Sequence, residues 1–368
     1  MKRVKRVILI VLDGFGAGET SDASLFGDSG AYTSKHIFQA SPKIKAPFLK
    51  YHGLLAESHQ NILVPEHPNK DTLSGLYELM GVVYPKLPTF PEGFSHQDIF
   101  TLEHLLDRKI IGNYPSSGTK IIQSLGPEHI DQSSLIVYTS SDSVFQIAAH
   151  QEVVPLSQLY FYCKLVRSFY HSTQPIGRII ARPFVGSKSQ GFTRTPYRKD
   201  FPYIHPQENL LHFLKKQNIT IYANHVIDNL FPGLIDQKIT CQDDRHCLYE
   251  LNKLLSSSSE QASFYFVDLE DLDMLYGHRR DLPAYVNALE QIDPLLNKLY
   301  QSLSKEDLLI ITADHGNDPT FQNHTDHTRE HVPYLVYQSQ TPLSKGKVQG
   351  MSWISDLIRD FFIENNAN

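Results

Sequence analysis

Three segments limit the possible folds more than anything else in the chain: "RVILIVLDG" (6–14), "SFYFVDLED" (263–271) and "DLLIITADHG" (307–316). Each is apolar on both faces, rich in β-branched or aromatic residues, and closed by an acid or a glycine. A strand without a polar face has to be covered on both sides, which happens inside a sheet flanked by helices. Helical patterns lie between such strands. "ENLLHFLKKQ" (208–217) precedes "ITIYANHV" (219–226), and "LPAYVNALEQIDPLLNKLYQSL" (282–303) precedes the third segment. The alternation predicts an α/β core, a mostly parallel sheet with helices on both faces. Active groups in such sheets collect at the carboxyl ends of strands, and Asp13, Asp273 and Asp314 all fall at or just beyond those ends.

The middle of the chain has a different character. It carries its own strands, "SLIVYTSSD" (134–142) and "GRIIARPFVG" (177–186), then a Pro- and Arg-rich return, "GFTRTPYRKDFPYIHP" (191–206). An inserted α+β cap over 92–204 is expected, splitting the core domain into 1–91 and 205–368. The serine run at 256–259 reads as a loop between a helix and a strand.

With 368 residues, 41% of them hydrophobic, the chain can bury a sizeable core. A net charge of −6 supplies no bulk attraction to nucleic acid or an anionic membrane, which leaves small molecules as the default partners. Its three cysteines, Cys163, Cys241 and Cys247, lack zinc-type spacing; an odd count argues against a disulfide framework and fits a reducing, cytoplasmic compartment. The basic and apolar start, "MKRVKRVILIVLDG", is too short in its apolar part for a secretion signal and reads as a buried first strand.

The chemistry concentrates in "TADHGNDPTFQNHTDHTREH" (312–331). Asp314 and His315 offer adjacent oxygen and nitrogen donors, a mixture suited to a hard-to-borderline divalent ion. "DLDMLYGHRR" (271–280) adds Asp273 and His278, whose spacing of five does not share one α-helical face and so requires a turn. Asp13 supplies another carboxylate, and His324 or His327 another imidazole, a choice that spacing leaves open. Six ligands from four segments suit two ions. Taken singly, each aspartate here is as readily a helix cap or turn former, and Asp318 and Asp326 read that way. In "PNKDTLSGLYELMG" (68–81), Thr72 and Ser74 stand before a short amphipathic helix, where the free amides favour a phosphate. A helix cap is the simpler use of either hydroxyl.

Together "VILIVLDGFGAGE", "KDTLSG", "DLDMLYGHRRD", "LLIITADHGNDPT" and "TDHTRE" resemble the alkaline phosphatase superfamily, and within it the phosphopentomutase family. The cap segments "IIGNYPSSGTKII", "IVYTSSDSVFQIAAHQEVVP", "GRIIARPFVG" and "FTRTPYRKD" are similar to that family alone, so the resemblance spans nearly the whole chain. It implies that Asp13, Asp314 and His315 bind one Mn²⁺ ion while Asp273, His278 and His327 bind the other. It also implies that Thr72 carries the phosphoryl group, and that Asp142, Arg182 and Arg198 face a pentose phosphate. A basic cluster such as Arg194, Arg198 and Lys199 would otherwise read as a solvated charge pattern. The implied activity is interconversion of ribose 1-phosphate and ribose 5-phosphate, and of their deoxyribose analogues, through a phosphothreonine enzyme and a bisphosphate. A phosphatase or phosphodiesterase on the same scaffold, or a non-catalytic binder of metal and sugar phosphate, are the alternatives. One departure stands out: the family's G-H-W-E is here Gly75, Leu76, Tyr77, Glu78. Oligomeric state is left open.

Overall fold

The register of the central strands is set at both of their ends. In the computed structural model, which describes residues 5–140, 142–173, 175–256, 261–338, 341–342 and 348–363, strand β1 (Arg6–Leu12) lies between β2 (Ser263–Leu269) and β3 (Asp307–Thr312), parallel to both. Val7 to Leu12 are completely buried, as a run without a polar face demands. At the amino end, Arg6 Nε and Nη2 donate to the two oxygens of Asp307 at 2.8 and 2.7 Å, and Nη1 donates to the Leu255 carbonyl at 2.5 Å. At the other end Leu12 sits opposite Leu269, and Val11 opposite Thr312. The three strands therefore finish almost flush, and the acids that follow emerge together.

Among the described residues the core sheet has seven strands in the order Gln237–Lys238, Thr220–Ala223, β2, β1, β3, Leu335–Gln338, Thr341–Pro342. The first five run parallel and the last two pair antiparallel, so the expected α/β architecture with a mostly parallel sheet is present. Helix Leu282–Ser302 packs on helix Asp244–Ser256 beside it. Among the described residues no helix is long and apolar enough to cross a membrane. Residues 257–259 of the serine run lie outside the described residues.

The chain divides into two compact units, 1–85 with 205–368, and 86–204. The second unit has its own six-stranded sheet, and the alternation of its strands builds two cores. Leu135 and Val137 pack on one face with Phe145, Ile147 and Ile179 beneath helix Leu156–Thr173, while Ile136 and Tyr138 pack on the other with Ile121 and Ile122. The unit begins before residue 92 because Phe90 stacks on Phe94, with ring centroids 4.5 Å apart, and both join the first of these cores.

The cysteine expectation is overturned for one pair: Cys241 and Cys247 are joined in a disulfide, and Cys163 remains a buried free thiol. Asp243 explains the approach, since its carboxylate accepts the His246 N–H at 2.7 Å and its carbonyl the Cys247 N–H at 2.9 Å. Asp243 thereby caps helix Asp244–Ser256 and places Cys247 in its first turn, close to Cys241. Cysteine usage therefore no longer argues for a reducing compartment.

Arg6→Met removes the guanidinium from the buried Asp307 carboxylate, which keeps the Ser304 N–H at 2.7 Å. Loss of about 3 kcal/mol of unfolding free energy is expected, read as a lower urea midpoint at unchanged slope.

Candidate active site

Asp13 follows β1 directly, and Gly14 after it turns the chain with φ +73°. A Cβ there would stand 3.0 Å from both Asn317 Cβ and Asp273 Oδ1, so the position takes glycine for conformation and for space. The Gly14 N–H donates to Asp314 Oδ1 at 3.2 Å and its carbonyl accepts the Asn317 N–H at 2.7 Å, which ties the ends of β1 and β3 together. Asp273 and His278 come from the segment after β2. Their spacing of five is met by a π-helical turn over Leu272–Tyr276 followed by a 3₁₀ turn over Gly277–Arg279, and His278 Nε2 lies 3.2 Å from Asp273 Oδ2.

Thr72 opens helix α1 (Thr72–Leu79), whose N-cap is Asp71. The Asp71 carboxylate accepts both the N–H and the Oγ–H of Ser74 at 3.0 Å, which commits the serine hydroxyl to capping. Thr72 Oγ1 instead lies 3.2 Å from His315 Nε2. Gly75 permits this approach, since a Cβ at that position would overlap the Asp314 carbonyl oxygen. Leu76 and Tyr77 point into packing: Tyr77 stacks on Phe231 at 4.5 Å and donates its hydroxyl to the Leu230 carbonyl.

All three candidate imidazoles are oriented in one way. Nδ1 of His278 faces the Thr325 carbonyl at 2.7 Å, that of His327 the Lys70 carbonyl at 2.8 Å, and that of His315 the Gly316 carbonyl at 3.1 Å. A carbonyl only accepts, so Nδ1 carries a proton and Nε2 is the nitrogen left to face a cation. The Nε2 atoms lie against carboxylate oxygens. His327 Nε2 is 3.5 Å from Asp273 Oδ1, and His315 Nε2 is 3.3 Å from Asp13 Oδ1 and 3.2 Å from Asp314 Oδ2. Within the first unit two sets of ligand atoms converge, Asp273 with His278 and His327, and Asp13 with Asp273 and His315, while Asp314 adjoins the second set through His315. His324 stands apart, bonded to Asp28 at 2.6 Å.

The electrostatics call for cations. Burial, reinforced by Asp314, Asp268 and Asp273, pushes the Asp13 carboxyl well up, and burial raises Asp314 to about 7. Burial also opposes ionisation of Asp273, yet His278 and His327 hold it well below the usual carboxylate range. Burial and the neighbouring His327 push His315 down to about 3, which keeps it neutral. Asp13 Oδ1 and Asp314 Oδ2 are buried with no hydrogen-bond partner among the described residues. Such carboxylate oxygens facing imidazole Nε2 atoms fit divalent cations, and the first unit's clusters form two metal-binding sets.

Sequence reasoning missed several residues here. Asn317 donates from Nδ2 to Asp273 Oδ1 at 2.6 Å, and only its adjacency to "ADHG" hinted at a role. Glu330 accepts from the Gly18 and Thr33 amides and from the Thr33 and Thr328 hydroxyls, which buckles the loop after Asp13 to the strand after His327.

In the second unit, Arg182 Nε donates to Gln146 Oε1 at 3.0 Å, and burial with the nearby Arg198 charge pushes its guanidinium down to about 10, still charged at neutral pH. Arg198 grips Asp200 with two bonds of 2.8 and 2.7 Å, and Asp142 lies 3.4 Å from Arg178 Nη2. Helix α2 (Gly118–Gln132) starts beside them: a Cβ on Gly118 would overlap the Arg194 guanidinium and the Tyr138 hydroxyl, which is buried without a hydrogen-bond partner among the described residues. Three guanidiniums, a helix N-terminus and a spare hydroxyl are chemistry for an anion.

The metalloenzyme superfamily model matches residues 232–364. The phosphopentomutase of Caldanaerobacter subterraneus subsp. tengcongensis is 42% identical over 355 residues, covering 91% of this chain and 88% of its own. Those of Clostridium novyi, 39% identical over 350 residues, and Dictyoglomus thermophilum, 39% over 362, cover the same shares.

Two outcomes are expected. A carboxyl with a pKa near 7 is protonated below that value and must release its proton to a cation, so apparent divalent-metal affinity should rise as pH increases from 6 to 8. Calorimetry in buffers of different ionisation enthalpy measures the released proton. Gly75→Ala should force α1 off Asp314 and lower kcat about a hundredfold, with metal stoichiometry unchanged.

Proposed function

Because this chain belongs to the phosphopentomutase family, and so isomerises pentose phosphates in a metal-dependent reaction, we propose that Thr72 is the residue that carries the phosphoryl group. Asp13, Asp314, His315, Asp273, His278 and His327 are the proposed ligands of two ions, with Mn²⁺ the ion best matched to this mixture of oxygen and nitrogen donors. The observation that carries the reading is the position of Thr72 Oγ1, 3.2 Å from His315 Nε2 of the set Asp13, Asp273 and His315.

A threonine hydroxyl is a poor nucleophile at neutral pH. Divalent cations at this position lower the effective pKa of a coordinated alcohol and neutralise charge on a transferring phosphoryl group. The chain's own contribution is placement. Asp71 caps α1 and engages Ser74, which leaves Thr72 as the hydroxyl available for transfer. His315 is held neutral, and its Nε2 lone pair lies 3.2 Å from Thr72 Oγ1, so a cation held there would meet that hydroxyl.

In the proposed cycle, Thr72 hands its phosphoryl group to the free hydroxyl of ribose 1-phosphate or ribose 5-phosphate, or of a deoxyribose analogue. A bisphosphate forms, turns over, and returns its other phosphoryl group to Thr72. Arg182 and Arg198 are proposed to bind the sugar phosphate and Asp142 to accept from ribose hydroxyls, in keeping with guanidinium geometry. The substrate is a small molecule and the proposed compartment is the cytoplasm.

The test is to incubate Mn²⁺-loaded protein with ribose 5-phosphate and a trace of bisphosphate primer, following ribose 1-phosphate and inorganic phosphate together. Isomer without phosphate release is expected; release of phosphate in place of isomer would identify a hydrolase. Thr72→Ala should abolish isomerisation, and a variant that still turns over removes Thr72 from its role. Arg182→Met should raise KM for ribose 5-phosphate by about tenfold or more through one lost charge-assisted bond.

A further inference from the structure

We infer that Arg280 is a positioning residue for one of the two cation positions, that of Asp273, His278 and His327; the inference rests on the metal-ligand reading above. Arg280 closes the 3₁₀ turn with left-handed backbone, φ +54°. Its guanidinium reaches every segment that supplies this ligand set. Nη1 donates to the Gly277 carbonyl at 2.8 Å, immediately before His278, and to Asn317 Oδ1. Nη2 donates to the His324 and Asp326 carbonyls at 2.6 and 2.7 Å, and Nε to the His324 carbonyl at 3.0 Å, bracing the turn that leads to His327.

Each of these contacts passes to a ligand within one further bond. Asn317 Nδ2 donates to Asp273 Oδ1 at 2.6 Å, so the amide held by Arg280 aims that carboxylate. Thr325, between the two carbonyls gripped by Nη2, accepts from His278 Nδ1 at 2.7 Å and thereby sets the imidazole's tautomer. His327 follows Asp326 directly. Asp273 is common to both sets, but both imidazoles of this one hang on the braced turns, whereas the other is anchored elsewhere as well, Asp314 by the Gly14 amide and His315 by the Gly316 carbonyl. Loss of the guanidinium should thus loosen one ion far more than the other. Only a planar fork with five donors spans these four acceptors, so lysine is no substitute.

The test is calorimetric titration of chelator-stripped protein with Mn²⁺, alongside melts of the metal-free protein. Wild type is expected to bind two ions. Arg280→Met and Arg280→Lys are expected to bind one ion with wild-type affinity and the other about tenfold to a hundredfold more weakly. Asn317→Ala, which removes a single arm, should weaken the same ion by less and carries the test if the arginine variants do not fold. Undiminished binding of both ions by the variants, or equal weakening of both, overturns the inference. Wild type binding fewer than two ions instead defeats the metal-centre reading itself and this inference with it.

Discussion

Mutual repulsion among buried carboxylates is the constraint around which the core is organised. Three strands that end nearly flush deliver Asp13 and Asp314 side by side, and the turn after β2 brings Asp273 against them. Removed from water, such a group is costly unless positive charge is near. Two of the three are forced toward the protonated form, and Asp273 stays ionised through its two imidazoles. The fold tolerates this crowding because rigid neighbouring strands leave the acids little room to separate.

Rigidity of the imidazoles comes from the main chain rather than from carboxylates. Each candidate histidine turns its Nδ1 to a carbonyl, and for His327 that carbonyl belongs to Lys70, two residues before Thr72. The segment bearing the proposed nucleophile thus also orients a proposed ligand. Displacing one disturbs the other, and Gly75, one turn on and on the same face of the helix as Thr72, fits closely against the Asp314 carbonyl.

The replacement of the family's His-Trp by Leu76 and Tyr77 becomes intelligible in the same terms. Both side chains are buried, and the tyrosine lies among Tyr84 and Phe231 with its hydroxyl satisfied by the Leu230 carbonyl. At these positions the helix presents packing surface. Thr72, its cap Asp71 and Gly75 keep the geometry toward His315 and Asp314.

Local sequence determined what depends on local composition. Apolar runs without a polar face specified the central strands, their terminal acids marked the functional end, and motif likeness separated His327 from His324 and Thr72 from Ser74. Tertiary structure alone decided what depends on approach between distant segments, the amide of Asn317 on Asp273 and the four-armed grip of Arg280, while the π-helical turn between Asp273 and His278 and the Cys241–Cys247 disulfide are local closures that periodicity does not encode. The physical reason is range. Burial and periodicity are written residue by residue, whereas a hydrogen bond spanning tens or hundreds of positions exists only once the sheet has fixed where its partners lie.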